Sequence, residues 1–147
     1  QLFLGITFNY GLLLGWTSIM GEISITSVVL YLGAIFWTLG YDTIYGFQDV
    51  KDDEIIGIKS TSLKFKKNSN IFLVSCYSIF ISSFLIIGIL MNFNQFYYLF
   101  ALLPIIHMFI YQLKGLRINS PSNCLKIFKS NNFFGLLVLC NILIGKF

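Results

Sequence analysis

Five long apolar runs follow one another along the chain and are separated by polar links. The runs cover approximately residues 2–20, 25–45, 71–91, 96–113 and 133–147, and the fifth is short unless it begins nearer Ile127. An apolar run of about 20 residues is long enough to cross the hydrocarbon core of a bilayer as a helix. A spanning segment must satisfy its own backbone hydrogen bonds, and the alternating strands of a membrane barrel are not seen. The pattern therefore predicts an all-α fold, a polytopic transmembrane bundle of about five spans that forms a single membrane domain over residues 1–147.

The composition supports an integral membrane protein. Of the 147 residues, 56% are hydrophobic and only 11% are charged, whereas soluble domains carry roughly 25% charged residues. The net charge of +4 does not indicate a nucleic-acid partner, because the basic residues lie in links between apolar runs. The three cysteines are widely spaced without a C-x-x-C pair, which favours apolar packing over metal binding.

The basic residues are concentrated in two of the links. The link over 46–70 contains five lysines, and the link over 114–129 contains three lysines and Arg117. With five spans, both links fall on one side of the membrane, so nine of the ten basic residues share a face and only Lys146 lies on the other. The positive-inside rule then predicts that this face is cytoplasmic, or faces the matrix in a mitochondrion.

Most of the acidic residues lie in one stretch at the end of the second run, residues 41–62. This stretch contains five of the six carboxylates of the chain: Asp42, Asp49, Asp52, Asp53 and Glu54. If the second helix continues past Tyr45, then Asp42, Asp49 and Asp53 line one stripe, because they are spaced i, i+7 and i+11. Asp49 and Asp53 would lie about 6 Å apart.

Carboxylates placed this closely repel one another unless a cation lies between them. Mg²⁺ commonly takes one or two carboxylates, several waters and the phosphates of a substrate. We therefore expect a cation site that in turn holds an anion such as a diphosphate. The alternative is that these are ordinary solvated charges at a helix end, which suits Asp52 and Glu54 better than Asp42.

The same stretch carries a family resemblance. Its sequence, YDTIYGFQDVKDDEIIGIKSTSLKF, resembles the second aspartate-rich motif of the UbiA superfamily of membrane prenyltransferases, in the form typical of 4-hydroxybenzoate polyprenyltransferases. Gly46 stands where an alanine is usual. The opening QLFLGITFNYG and the later LKIFKSNNFFGLLVL resemble the helix after the family's middle loop and its last helix. The resemblance thus covers nearly all of the chain and corresponds to the C-terminal five of the nine spans usual in the family.

The resemblance implies a function. Members of the family transfer a polyprenyl group from polyprenyl diphosphate to an aromatic acceptor, here 4-hydroxybenzoate in ubiquinone biosynthesis, and depend on Mg²⁺. The first motif of the family, of the type N-D-x-x-D-x-x-x-D, does not occur in this sequence. The implied partners are therefore polyprenyl diphosphate, 4-hydroxybenzoate, the lipid bilayer and the N-terminal half of the same enzyme. The implied location is a bacterial cytoplasmic membrane or a mitochondrial inner membrane.

The resemblance also assigns roles to individual residues. Asp49 and Asp53 correspond to the ligands of the Mg²⁺ on the diphosphate, and Asp42 to a third acidic participant in catalysis. Lys59 is expected to add a hydrogen-bond donor to the phosphate, and Tyr45 to contact the substrate. Together with Tyr41 and Phe47, Tyr45 is close enough in sequence to form an aromatic wall for a carbocation,.

Two alternatives remain at this point. One is a truncated member of the family that has no catalytic activity by itself. The other is a membrane cation transporter that uses the aspartate stripe as an ion site. A transporter predicts further ionisable residues deep in other spans, where this chain has essentially only His107.

Overall fold

A computed structural model describes residues 1–57 and 59–147 of the chain, except for the side chain of Lys51. Its α-helices are α1 (Leu2–Met20), α2 (Ile25–Gly46), α3 (Val50–Ile56), α4 (Thr61–Lys64), α5 (Ser69–Leu90), α6 (Gln95–Phe100), α7 (Leu102–Ile106), α8 (Pro121–Lys129) and α9 (Asn131–Lys146). A 3₁₀ turn at Lys66–Asn68 precedes α5, and a π-helix at His107–Leu113 continues α7. The described residues contain no β-strand, so the predicted all-α class is confirmed.

Within the part of the chain that the structure describes, five helical stretches are long and apolar enough to cross a membrane, as predicted. They are Leu2–Met20, Ile25–Gly46, Lys66–Leu90, Gln95–Leu113 and Pro121–Lys146. The expected start of the fifth span near residue 133 is wrong, because α8 already belongs to it. This helix is amphipathic, because Cys124 and Ile127 are buried while Lys126 and Lys129 are exposed. The mean hydropathy of the segment is therefore low even though one of its sides is apolar,.

Proline divides the fourth span into unlike parts. Pro104 has no amide hydrogen and crowds the carbonyl group four residues earlier, which disfavours a continuous α-helix. The span accordingly turns at Ala101 between α6 and α7, and it widens into the π-helix from His107 onward. The side chains of this span are therefore not spaced as in one regular α-helix.

The link before α6 and the two basic links lie at opposite ends of the bundle, as the sequence predicts. The backbone and side-chain amides of Asn94 donate to the carbonyl groups of Gly145 and Ile144 at 3.0 and 2.9 Å, so the link before α6 lies beside the end of α9. On the other face, a cavity of about 270 Å³ is lined by Phe47, Gln48, Val50, Lys66, Ile118, Asn119 and Pro121. The two basic links thus share one face, which confirms this part of the sequence prediction.

An aromatic cluster joins α2, α5 and α9 in the core. The ring centroids of Trp37 and Phe80 are 5.5 Å apart, those of Trp37 and Phe134 are 5.0 Å apart, and those of Phe80 and Phe134 are 5.6 Å apart. Offset and edge-on ring pairs of this kind each add about 0.5–1.5 kcal/mol beyond the area they bury. In lipid, where water does not drive helices together, such close packing is what holds spans in place.

Tyr97 holds the opposite end of the bundle together. It is fully buried, its hydroxyl group donates to the carbonyl of Phe84 at 2.5 Å, and its ring lies against α9 at Gly145. A Cβ atom at Gly145 would lie 2.7 Å from Cδ2 and 2.9 Å from Cβ of Tyr97. Since the Cβ of Tyr97 is fixed to its backbone, this helix contact requires glycine.

We expect Gly145→Ala to lower the free energy of unfolding by about 1–3 kcal/mol, because the added methyl group overpacks the contact with Tyr97. Thermal unfolding in detergent micelles measures the effect. Gly135→Ala on the same helix is the matched control, since a Cβ there would lie at an ordinary 3.7 Å from Trp37. The control should be neutral or stabilising by up to about 1 kcal/mol, and equal destabilisation by both substitutions would contradict this account of the contact.

Candidate active site

The acidic stretch does not continue α2 but turns away from it. The helix ends at Gly46, and the amides of Phe47, Gln48 and Asp49 each bond to the carbonyl group three residues earlier. This tighter bonding narrows the end of the helix into a turn. Asp49 then becomes the N-cap residue of the short helix α3.

The predicted stripe of three aspartates on one continuous helix is therefore wrong. Asp42 lies in the last turn of α2, whereas Asp49 and Asp53 belong to α3, on the far side of the turn after Gly46. Among the described residues, no group of three His, Cys, Asp or Glu side chains is placed to hold a metal ion. The three carboxylates thus do not form a metal site by themselves.

A set of bonded hydroxyl groups, two of them fully buried, holds both ends of the acidic stretch. We call Thr43, Thr61 and Ser62 the hydroxyl clamp. The hydroxyl of Thr43 donates to Leu39 O at 2.6 Å and shares a hydrogen bond of 2.8 Å with the hydroxyl of Thr61, while Ser62 Oγ donates to Thr43 O at 2.9 Å. Thr43 and Ser62 are fully buried. The clamp thereby fastens the end of α2 to the start of α4 on either side of α3.

Gly46 is the small residue that permits the clamp to close. A Cβ atom added at Gly46 would overlap Ser62 Oγ, so a larger side chain would require α2 and α4 to separate. The turn that follows is anchored by Phe47 and Val50, which are only 4% and 5% exposed. The acidic helix is therefore held by buried contacts at its base while its carboxylates remain near the surface.

Asp49 and Asp53 lie one turn apart along the backbone of the acidic helix α3. The amide of Asp53 donates to the carbonyl of Asp49 at 2.8 Å, which places the two residues one helical turn apart. Asp49 is exposed and Asp53 is half-buried. Among the described residues, neither carboxylate accepts a hydrogen bond or forms a salt bridge. Two oxygen-rich side chains without such partners fit the one or two carboxylates that Mg²⁺ commonly takes.

The other acidic and basic candidates have different surroundings. Glu54 forms a salt bridge with Lys66, with 2.8 Å between Glu54 Oε1 and Lys66 Nζ, and this contact connects α3 to the 3₁₀ turn. Lys59 is exposed and lines an open groove with the start of α1, formed by Gln1, Leu2, Phe3, Ser60, Thr61, Leu63 and Lys64. That groove contains none of the candidate aspartates, so the structure does not bring Lys59 and the aspartates into one cavity.

An aromatic wall forms at the end of α2, where the acidic stretch begins. The ring of Tyr45 lies 4.8 Å and that of Tyr41 5.7 Å from the ring of Phe128, and Tyr41 is also 5.7 Å from Trp37. Beside these rings lies a cavity of about 270 Å³ whose lining residues are Phe8, Trp37, Tyr41, Phe128, Lys129, Asn131 and Asn132. The expectation that Phe47 joins this wall is wrong, because its side chain is buried in the core.

A buried polar network supports the wall, and sequence reasoning missed it. Trp37 Nε1 and Gln112 Nε2 both donate to Asn131 Oδ1, at 2.9 and 3.1 Å, and the hydroxyl of Tyr77 donates to Gln112 Oε1 at 2.6 Å. The network joins α2, α5, α9 and the π-helix. The signal was present as Gln112 and Asn131 at the margins of apolar runs, because a polar amide inside a membrane is costly unless it is bonded.

Comparison with known proteins places these features in a family. The model of the UbiA prenyltransferase family matches residues 1–138. The 4-hydroxybenzoate polyprenyltransferase, mitochondrial, of Dictyostelium discoideum is 44% identical over 147 residues, which is 99% of this chain and 32% of the relative. The protein of the same name from Homo sapiens is 38% identical over 147 residues. This match covers 99% of this chain and 39% of the relative.

A plant relative belongs to the same set of similar proteins. The 4-hydroxybenzoate geranyltransferase 2 of Lithospermum erythrorhizon is 36% identical over 152 residues, covering 99% of this chain and 48% of the relative. No solved structure matches the chain. The chain spans between about a third and a half of the length of these three relatives. Because the family model matches nearly the whole sequence, this chain belongs to the UbiA prenyltransferase family.

Proposed function

We propose that this chain provides the diphosphate-binding part of a Mg²⁺-dependent polyprenyltransferase that prenylates 4-hydroxybenzoate in ubiquinone biosynthesis. The observation that supports it most is the pair of carboxylates of Asp49 and Asp53, one turn apart on a helix held by the hydroxyl clamp. The names of the relatives from Dictyostelium discoideum and Homo sapiens agree with this reaction.

The proposed chemistry assigns the charged residues to the leaving group. Asp49 and Asp53 would hold Mg²⁺, which when bound neutralises the negative charge that develops on the departing diphosphate. Lys59 would donate to a phosphate oxygen, which requires its side chain to approach α3 when substrate binds. Asp42, half-buried one helix earlier, would add a third negative charge to the site.

The aromatic wall suits the other half of the reaction. Loss of diphosphate from an allylic carbon leaves a carbocation, which water would quench. The rings of Tyr41, Tyr45 and Phe128 would exclude water and stabilise the cation through their electron-rich faces,. Tyr45 is 42% exposed, so its ring is accessible to a substrate.

The proposal also covers location and the rest of the site. The relatives from Dictyostelium discoideum and Homo sapiens are named as mitochondrial, and we propose that the chain lies in the inner membrane with its basic face and acidic stretch toward the matrix. We further propose that the N-terminal half of the same enzyme supplies the facing aspartate motif. The bilayer, the polyprenyl diphosphate and 4-hydroxybenzoate would be the other partners.

Asp49→Asn and Asp53→Asn, each in the full-length protein, should lower Mg²⁺-dependent transfer to 4-hydroxybenzoate by about 100-fold or more, since each removes an electrostatic contribution to the transition state. Transfer of a radiolabelled prenyl group into the phenol measures this. Glu54→Gln is the matched carboxylate-to-amide control, because Glu54 lies on the same helix as Asp53 but forms a salt bridge with Lys66 of the 3₁₀ turn. Near-normal turnover in both aspartate variants would refute the assignment.

A chimeric protein distinguishes between two possibilities, namely that this chain supports catalysis or that it is a non-catalytic fragment. This chain replaces the matched segment of the Dictyostelium discoideum relative, and the product is tested for the same transfer reaction. Activity that disappears with Asp49→Asn supports the proposal. A correctly folded chimera without activity would favour the non-catalytic alternative.

Ser62→Ala should lower transfer about tenfold and raise the Mg²⁺ concentration needed for half-maximal rate, because it removes the bond to Thr43 that holds α4 against α2. We expect the loss of this single buried hydrogen bond to cost about 1 kcal/mol of stability. Titration of activity with Mg²⁺ checks the effect. Ser75→Ala is the control, since the hydroxyl of Ser75 is exposed and bonds only within its own helix. An unchanged Mg²⁺ requirement for Ser62→Ala would show that the clamp does not position the metal ligands.

A further inference from the structure

A groove of two adjoining parts lies between the last two spans, away from the candidate active site. The part farther from the basic face, which we call the deep part, has a volume of about 580 Å³. It is lined by Leu103, Ile106, His107, Tyr111, Ser130, Phe133 and Leu137. Its outer part, of about 430 Å³, is lined by Ile106, Ile110, Tyr111, Lys114, Gly115, Asn123, Lys126 and Ile127. Ile106 and Tyr111 line both parts, so the two adjoin, and we describe them together as one groove.

The groove changes from apolar to basic along its length. Leu103 and Leu137 lie at the deep end, His107, Tyr111 and Ser130 in the middle, and the lysines at the outer end. Lys114 and Lys126 are both exposed and lie on the basic face of the bundle. Neither lysine forms a salt bridge with an acidic side chain among the described residues. The outer end therefore offers two positive charges to a ligand.

The length of the groove matches one leaflet of a bilayer. Leu103 and Lys114 are eleven residues apart, which corresponds to a helix length of at most about 16 Å, because the wider π-helix in this stretch rises less per residue than an α-helix. The hydrocarbon core of a bilayer is about 30 Å thick, so the groove extends from near its middle to one surface. Basic pockets between spans at this depth are suited to the headgroups of anionic lipids.

We propose that the groove binds one anionic phospholipid of the surrounding bilayer. The phosphate lies between Lys114 and Lys126, and an acyl chain lies along Ile106 and Phe133 toward Leu103. None of Asp42, Tyr45, Asp49, Asp53 or Lys59 lines the groove, so this site is separate from the candidate active site. The proposal consequently does not depend on the proposed catalytic function.

Native mass spectrometry of the purified full-length protein tests the site, with phosphatidylglycerol and phosphatidylcholine of identical acyl chains as probes. The protein should retain one phosphatidylglycerol in preference to phosphatidylcholine. The double substitution Lys114→Gln/Lys126→Gln should weaken binding of phosphatidylglycerol about 30-fold, as expected for two lysines near the membrane surface. Leu103→Trp should also weaken it, because the indole ring fills the deep end without changing the charge.

Lys64→Gln/Lys67→Gln is the matched control, because it removes two exposed charges from the same face outside the groove. This control should bind phosphatidylglycerol as the wild type does, with unfolding temperatures confirming that all variants are folded. Equal retention of both lipids by the wild type, or equal weakening by the control, would overturn the proposal. Preferential displacement by geranylgeranyl diphosphate would also overturn it, since the groove would then be a prenyl-donor site. If Leu103→Trp does not fold, the two lysine pairs decide the result.

Discussion

The hydroxyl clamp of Thr43, Thr61 and Ser62 is the interaction on which the geometry of the acidic stretch depends. Buried hydroxyl groups are costly unless they are bonded, and the three residues satisfy one another and the carbonyl groups of α2. The hydroxyl clamp fixes the two ends of the segment that contains α3. A short charged helix at a membrane surface has little packing of its own, so its position is set mainly by these anchors and by the buried Phe47 and Val50.

The rest of the bundle combines ring packing with a few bonded polar groups. Trp37 shows both, since its ring packs against Phe80 and Phe134 while its indole nitrogen donates to Asn131. In a lipid environment, packing and hydrogen bonds between helices replace the hydrophobic force that assembles soluble proteins. The same network orients the start of α9 next to the cavity beside the aromatic wall, and so links the stability of the bundle to the shape of the candidate site.

The two charged regions of the basic face have different physical characters. In the acidic stretch, Asp49 and Asp53 are one turn apart, and their repulsion favours a bound cation. In the groove between the last two spans, Lys114 and Lys126 present positive charge above an apolar channel. The first arrangement suits a metal-bound diphosphate and the second an amphiphile with an anionic head. One face of the molecule therefore carries regions of opposite charge that do not share residues.

The sequence by itself determined the class of fold, the five spans, the alternation of the links and the family. These properties follow from the length of apolar runs, the positions of lysines and a long motif, all of which are local. The break after Gly46 was not predictable in the same way, because its cause is the approach of Ser62, sixteen residues further along the chain. The helical periodicity predicted that α2 continues through this point. That prediction placed Asp42 on one stripe with Asp49 and Asp53, which the structure does not contain.

Only the tertiary structure decided which aromatic residues form the wall. Phe128 lies 83 residues after Tyr45 and yet is its nearest ring partner, whereas the adjacent Phe47 is buried in the core. The physical reason is that side-chain neighbours in a bundle are set by packing between helices, which depends on the volumes of residues far apart in the sequence. The pattern of one segment specifies that a helix forms, but the contacts between segments decide what that helix faces.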